Sequence, residues 1–440
     1  MAEYYALLMF PAILIVLFSG FPVALSLMGV ALFFGYYVFG PPVIFMFVEM
    51  VDSIASNYIL AAVPLFVFMG SLLERSGIAE RLFEAVHLWT RRLPGGLAVG
   101  TIIMCIIFAA STGVIGATES VVGLLAIPAM MKYAYNKGLV AGTICAGGSL
   151  GTIIPPSVVV VVLGPVANVS VGDLFVGMIF PGLIMSTMYI IYIIVRCTLR
   201  PQDGARIEPS ESDPNLAEKL SITVKALIPP LMLIFAVLGS IMLGLAAPTE
   251  AAGMGALGAI ILTLSYGSFS VGVLNEALIK TVKVTCMIML ILLGGSMFSG
   301  VFIAAGGVTI TEQIISNSNL SGWATLALFL LISFIAGFVL EWISILLIFI
   351  PVFVPIVNSM GYDPVWFCVL FLVVIQTSYL TPPMAPAIFY LRGIAPPEIR
   401  LHHMFRGVMP FIVLQIITLI IIMVFPNTVL WLPSKILGFN

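Results

Sequence analysis

Charge is what this 440-residue chain has least of: 8% of its residues are Asp, Glu, Lys or Arg, against 61% hydrophobic residues and a mean hydropathy of +1.22. So little charge excludes a soluble globule and leaves a polytopic membrane protein in the lipid bilayer, for which no nucleic-acid partner is expected. Cysteine is also scarce. Cys105, Cys145, Cys197, Cys286 and Cys368 are odd in number, show no CxxC spacing and fall mostly in apolar runs, so they read as packing residues without a disulfide or metal framework. The three histidines, His87, His402 and His403, lie in polar segments away from any Cys or carboxylate cluster, so no metal site is expected beyond an alkali ion, and no cofactor. There is no HExxH, no paired Asp motif and no Ser with Lys or His inside an apolar run, which excludes an intramembrane enzyme. The first residues lack the basic flank and cleavage site of a signal peptide, so the first helix is expected to stay in the membrane.

What is present is apolar length. Runs at about 4–20, 21–40, 58–74, 138–163, 174–195, 226–246, 250–266, 284–304, 365–391 and 408–430 are each near the ~20 residues a bilayer needs. Two stretches differ. Residues 97–131 and 323–357 are apolar runs bent in the middle, around Ser111-Thr112-Gly113 and Ala336-Gly337, and closed by Pro128 and by Pro351 and Pro355. Each is either two spans or one re-entrant helical hairpin. Arms of ~15–17 residues reach only ~25 Å, short for a crossing, which favours hairpins.

The basic residues give an orientation. Placing 75–96, 132–137, 196–225, 267–283 and 392–407 on one side collects 16 of the 17 Lys and Arg there, Lys435 being the exception. By the positive-inside rule that side is cytoplasmic, both termini are periplasmic, and the two hairpins enter from opposite sides. Residues 75–92 and 268–283 carry charges beside apolar side chains and are expected as arms along the cytoplasmic interface. The polar segment 196–225 is the boundary between two halves.

Two of the spans are interrupted in the same way, by small polar residues and then a proline pair: Gly147-Gly148-Ser149-Leu150-Gly151-Thr152-Ile153-Ile154-Pro155-Pro156-Ser157 and Gln376-Thr377-Ser378-Tyr379-Leu380-Thr381-Pro382-Pro383-Met384. Proline removes a backbone donor and crowds the preceding turn, and glycine tolerates irregular dihedrals, so both helices should break. Hydrocarbon cannot satisfy the freed groups. Paired breaks in corresponding places mark the substrate and ion sites of a secondary transporter. A shift of 227 residues lays Pro128 on Pro355, Tyr135 on Tyr362, Pro155 on Pro382 and Pro156 on Pro383. Because the two windows start on opposite sides of the membrane, the repeat is inverted; the alternative is convergent helix breaking at two packed kinks. The expected fold is thus an all-α membrane protein, an inverted repeat with two re-entrant hairpins and two broken helices. Its parts are scaffold helices and an arm in 1–96, half of a transport domain in 97–195, the connector 196–225, scaffold helices and a second arm in 226–322, the other half in 323–430, and a periplasmic tail in 431–440.

Sodium is a hard cation suited to carbonyl and hydroxyl oxygens at unwound turns, while half-helix N-termini suit a carboxylate. Ser111, Thr112 and Gly113 with Gly151 and Thr152 can make one sodium site, and Gly337 and Glu341 with Thr377, Ser378 and Thr381 a second. The alternative for each hydroxyl is a hydrogen bond to its own or a neighbouring helix. Thr118, Glu119, Ser149, Ser157 and Gln376 are the candidates for substrate contact. Glu119 stands out because an ionisable residue inside an apolar run is costly and usually functional, the alternative being a hairpin tip that reaches water.

The segments 148–157 (GSLGTIIPPS), 380–383 (LTPP) and 361–367 (GYDPVWF) resemble the large, DctM-like permease subunit of the tripartite ATP-independent periplasmic (TRAP) transporters, and the resemblance extends over nearly the whole chain. The patterns at 111–119 and 337–342 resemble its mannitol/chloroaromatic or 2-oxoacid branch. The chain departs from many members at Val114-Ile115, where they have Ser-Ser, and at Glu341, where they have Asp. The resemblance implies an elevator-type importer in the bacterial inner membrane, of ion-transporter-superfamily architecture. In it sodium drives uptake of a small organic acid delivered by a periplasmic binding protein, and a separate small subunit of about four helices completes the complex. The alternative is a transporter of the same architecture that works without a binding protein.

Overall fold

The computed structural model describes residues 2–113, 116–207, 214–318, 320–436 and 438, and every regular element among them is helical. The first half holds α1 (Ala2–Phe18), α2 (Val23–Phe39), α3 (Val43–Ala55), α4 (Ala62–Glu74) and α5 (Ile78–Thr90). It continues with α6 (Gly96–Thr112), α7 (Ala117–Lys132), α8 (Lys137–Ser149), α9 (Val158–Ala167), α10 (Val171–Gly177) and α11 (Ile179–Leu199). The second half holds α12 (Leu216–Met242), α13 (Pro248–Ser265), α14 (Val271–Ala304), α15 (Gly307–Asn317), α16 (Gly322–Ala336) and α17 (Trp342–Ser359). After these come α18 (Pro364–Leu380), α19 (Pro386–Ile394), α20 (Leu401–Val424) and α21 (Asn427–Ile436).

The 227-residue shift that aligns the prolines also aligns the helices. It carries α2 onto α13, α3 with α4 onto α14, α5 onto α15, α6 and α7 onto α16 and α17, α8 and α9 onto α18 and α19, and α11 onto α20. Packing follows the same symmetry, α2 lying on α14 as α13 lies on α4. Even the caps correspond. Asn136 accepts from the Gly138 and Leu139 N–H groups at 2.9 and 3.2 Å to start α8, and Asp363, its repeat counterpart, accepts from Val365 and Trp366 at 2.8 and 3.0 Å to start α18. The molecule is an inverted repeat over nearly its whole length.

Both interrupted spans are broken where the prolines stand. After α8, one 3-10 turn (Leu150–Thr152) leads into the non-helical residues 153–157, and α18 stops at Leu380, with five residues between it and α19. The Pro155-Pro156 and Pro382-Pro383 bonds are both cis. All residues of α8 from Leu139 on, and of α18 from Trp366 on, are buried, so these helices are surrounded by protein rather than lipid. The hairpin arms α6, α7, α16 and α17 are 15 to 18 residues long. At ~1.5 Å per residue they stay below the ~30 Å of hydrocarbon, although α17 at 18 residues is among the helices long and apolar enough to cross a membrane.

The halves differ at several places, and one of them concerns α14. α3 and α4 meet at a 53° bend, where the Asn57 side chain accepts from the Ile59 N–H at 3.1 Å and starts a new turn. Its counterpart is Val284, which has no capping oxygen, and α14 runs unbroken for 34 residues, about 51 Å. Residues 268–283, expected as a separate interfacial arm, are therefore largely the first turns of α14, and the counterpart of the arm α5 is α15. α5 itself is fastened to the second half: Trp89 Nε1 donates to Thr223 Oγ1 at 2.8 Å and the Arg81 guanidinium sits 4.4 Å from the Tyr266 ring centroid.

Candidate functional site

Each hairpin tip rests on a helix break. Gly113 ends α6 at φ +60°, a conformation that favours glycine, and its carbonyl accepts from the Val158 N–H at 3.2 Å, at the first residue of α9. A Cβ at Gly113 would stand 2.9 Å from the Pro156 carbonyl oxygen. The first tip is thus closed over the first proline pair. In the second half a Cβ at Gly337, which ends α16, would run into the Ser378 side chain three residues before the second break. Glycine lets the second tip settle there.

The hydroxyls at these junctions spend their protons locally. Ser111 Oγ donates to the Ile107 carbonyl at 2.8 Å, Thr377 Oγ1 to Val373 at 2.7 Å, Ser378 Oγ to Ile375 at 2.8 Å and Thr381 Oγ1 to Thr377 at 2.7 Å. Thr152 Oγ1 faces both the Ser149 carbonyl at 2.9 Å and Gln376 Oε1 at 3.2 Å. A hydroxyl whose proton points back to its own helix turns its lone pairs outward, the polarity that a cation requires. This is compatible both with helix self-bonding and with ion coordination.

Glu119 does not reach water. It is fully buried in the first turn of α7, where its Oε2 accepts from the Gly116 N–H at 2.8 Å and caps the tip. A Cβ at Gly148 would overlap the Glu119 carboxyl, so α8 approaches it only because residue 148 is glycine. Glu119 Oε1, Thr118 Oγ1, Ser157 Oγ and the Tyr379 hydroxyl are all buried without a hydrogen-bond partner.

Beside the tips lies a cavity of about 380 Å³. One wall belongs to the tips and breaks: Gly113, Gly116, Gly337, Glu341, Ser378 and Tyr390. The other belongs to α4 and α14, with Glu74, Lys280 and Met287. Two further cavities follow along α14, one beside Met287 to Ile291 and one beside Leu292 to Ile303.

Of the residues singled out from the sequence, Gly113, Gly337, Glu341 and Ser378 line the main cavity, and Thr381 is half-buried at the second break. Ser111, Gly151, Thr152, Thr377, Thr118, Glu119 and Ser157 are buried and do not line it. Ser149 and Gln376 are fully buried and bond to each other at 3.2 Å. The Thr112 side chain, Val114 and Ile115 lie outside the described residues. Sequence reasoning passed over Tyr390, Glu74 and Lys280, which line the cavity, and Gln415, whose Nε2 donates to Ser149 Oγ at 3.4 Å. A glutamine inside the apolar run 408–430 was the available signal for the last.

The comparisons agree with this architecture. The family model described as "Tripartite ATP-independent periplasmic transporter, DctM component" matches residues 10–428. The sialic acid TRAP transporter large permease protein of Vibrio cholerae is 31% identical, the alignment covering 96% of this chain and 97% of that one. The C4-dicarboxylate TRAP transporter large permease protein of Pseudomonas aeruginosa is 30% identical, with 86% and 87% covered. An isethionate TRAP transporter permease protein of Oleidesulfovibrio alaskensis is 29% identical over 83% of this chain and 56% of its own length. The fold is shared with the YdaH transporter of Alcanivorax borkumensis, at a TM-score of 0.63 and 14% identity over 90% of this chain and 89% of that one. With the family model spanning nearly the whole sequence, the chain belongs to the large permease, or DctM, component of the tripartite ATP-independent periplasmic transporters, multi-pass proteins of the inner membrane.

Proposed function

We propose that this large permease imports a small organic acid, driven by sodium, by an elevator movement in which hairpins and broken helices slide past a scaffold that includes α4 and α14. The observation that carries this reading is the convergence of both hairpin tips and both helix breaks around one cavity against α14. One sodium ion is held by Ser111, Thr112, Gly113, Gly151 and Thr152, and a second by Gly337, Glu341, Thr377, Ser378 and Thr381. Hydroxyls bonded backward with lone pairs free support that assignment. The cargo anion is oriented by the N-terminal ends of α7 and α9, close to Thr118, Glu119 and Ser157. Three cavities in succession along α14 support a sliding path. The chain works with a separate small membrane subunit and a periplasmic binding protein, and both termini face the periplasm. A carboxylic acid cargo is supported by the C4-dicarboxylate and sialic acid transporters among its relatives.

The test is uptake into proteoliposomes that hold both membrane subunits, with the binding protein outside. Uptake should collapse when external sodium is replaced by choline at constant membrane potential. Equal uptake in choline would rule out sodium coupling, and equal uptake without the binding protein would favour a binding-protein-independent transporter.

A further inference from the structure

The α4 and α14 wall of the cavity carries a charge arrangement that neither the tips nor the breaks require. Three charged side chains line the cavity, Glu74, Glu341 and Lys280, so among the described residues Lys280 is its only cation. Lys280 Nζ is bonded to Glu74 Oε2. The same Oε2 lies 3.9 Å from Arg75 Nη1, and Arg75 Nε is bonded to Glu276 at 3.0 Å. The row Glu276, Arg75, Glu74, Lys280 alternates in sign and is neutral as a whole. Its outer end, Glu276, is exposed, while Glu74 and Lys280 are largely withdrawn from solvent at 17% and 30% side-chain exposure.

Such a row can exchange partners without stranding a charge. If Lys280 swings from Glu74 toward the cavity, Glu74 closes the remaining gap to Arg75 and keeps a counter-ion, and Arg75 retains Glu276. The flexible lysine stem permits the swing, and its compact ammonium suits a carboxylate arriving from different angles. An anion entering the cavity otherwise meets the carboxylate of Glu74, and that of Glu341 as well when no sodium ion is bound there, and both repel it.

We propose that Lys280 is a transient anion-binding residue of the α14 wall, which takes hold of the carboxylate of the cargo as it passes between the hairpin tips and solvent. Glu74 is the competing partner that makes the hold brief. The inference rests on the reading of this chain as an organic-acid importer and adds a site to it, outside the hairpins and broken helices.

The two partners should act in opposite directions. In proteoliposomes holding the complete transporter, counterflow is measured with succinate and sialic acid as carboxylate probes, and the half-saturating concentration is read on the side to which the cavity opens. Lys280→Gln should raise that concentration about tenfold, the worth of one charge-assisted hydrogen bond, and Lys280→Arg should restore most of the affinity. Glu74→Gln frees Lys280 and should lower the half-saturating concentration while slowing turnover. A brace between α4 and α14 would behave otherwise: both neutral variants would lose thermal stability, with half-saturation unchanged or shifted the same way, and that result overturns the inference. If Lys280→Gln fails to fold, the sign of the Glu74→Gln shift decides. Wild-type protein that moves none of the probes would instead overturn the importer reading, and the inference with it.

Discussion

Gln376 Nε2 donates to Ser149 Oγ at 3.2 Å, and the two residues, 227 positions apart, are the same position in the two repeats. Equivalent positions can touch each other only where the axis that exchanges them passes between. The pseudo-twofold axis therefore runs between α8 and α18, through a buried contact, with Thr152 and Gln415 bonded to the same pair.

That contact should be worth measuring as a pair. Gln376→Leu removes the bonds to Ser149 and Thr152 and should cost about 1–3 kcal/mol of stability. Because Ser149 and Gln376 share the bond, Ser149→Ala with Gln376→Leu should cost clearly less than the sum of the single changes. Thermal unfolding in detergent measures the cycle; strict additivity would mean that the two side chains do not interact.

A second bond joins α14 to the second hairpin. Ser299 Oγ donates to the Leu347 carbonyl at 2.6 Å. Four residues on, where that carbonyl would find its own helical donor, stands Pro351, which has none. Ser299→Ala should leave a buried acceptor unpaired and cost ~1–3 kcal/mol. Adding Pro351→Ala supplies the missing N–H and should recover part of the loss, read by thermal unfolding of the single and double variants. No recovery would show that the carbonyl is not the group at stake.

Two glycines should respond oppositely to alanine. Gly337→Ala drives a methyl into Ser378, displacing the second tip, and should reduce transport and sodium affinity together. Gly393, exposed in α19 with nothing within 4 Å of a Cβ, should gain up to about 1 kcal/mol as alanine. Sodium titrations of uptake and unfolding midpoints separate the two.

The proline pairs lend themselves to a direct change. Pro155→Ala with Pro156→Ala should favour helix across the first break, alanine being ~3 kcal/mol better than proline in a helix interior. The protein should insert and assemble yet transport poorly at every sodium concentration, and Pro382→Ala with Pro383→Ala should do the same. Wild-type transport by either double variant would reduce the breaks to packing kinks.

Acid should loosen the arm α5. His87 is buried with neither ring nitrogen hydrogen-bonded and packs edge-on to Phe83 at 3.9 Å between ring centres; burial lowers its pKa to about 4. The folded value lies below the ordinary 6.5, so between those pH values the unfolded chain binds more protons and stability falls as pH falls. Above pH 6.5 this contribution is constant. His87→Leu should flatten the fall in unfolding midpoint across that window relative to wild type.

The sequence was most readable where backbone chemistry is special. Prolines 155, 156, 382 and 383 marked both breaks, and their spacing exposed the repeat. The reading failed where two stretches of similar composition fold differently: 268–283 resembled an arm because charges sit among apolar residues, and only a comparison of Asn57 with Val284 reveals why one helix bends and the other continues. Glu74 and Lys280 were invisible as a pair because they are 206 residues apart and belong to different repeats. Ser149 and Gln376 stood out as polar residues in apolar runs, but the sequence carried no sign that they face each other rather than a ligand.

The bend at Asn57, with no partner at Val284, carries a consequence for energetics. Two identical inverted halves would exchange conformations at no net cost, and the inward and outward forms of the molecule would be equally populated. A bend in one half opposite a continuous helix in the other removes that degeneracy, so on the elevator reading proposed above the two end states would be unequally populated before any ion or cargo binds. On that reading the Asn57 cap, with no counterpart at Val284, is one source of a preferred side.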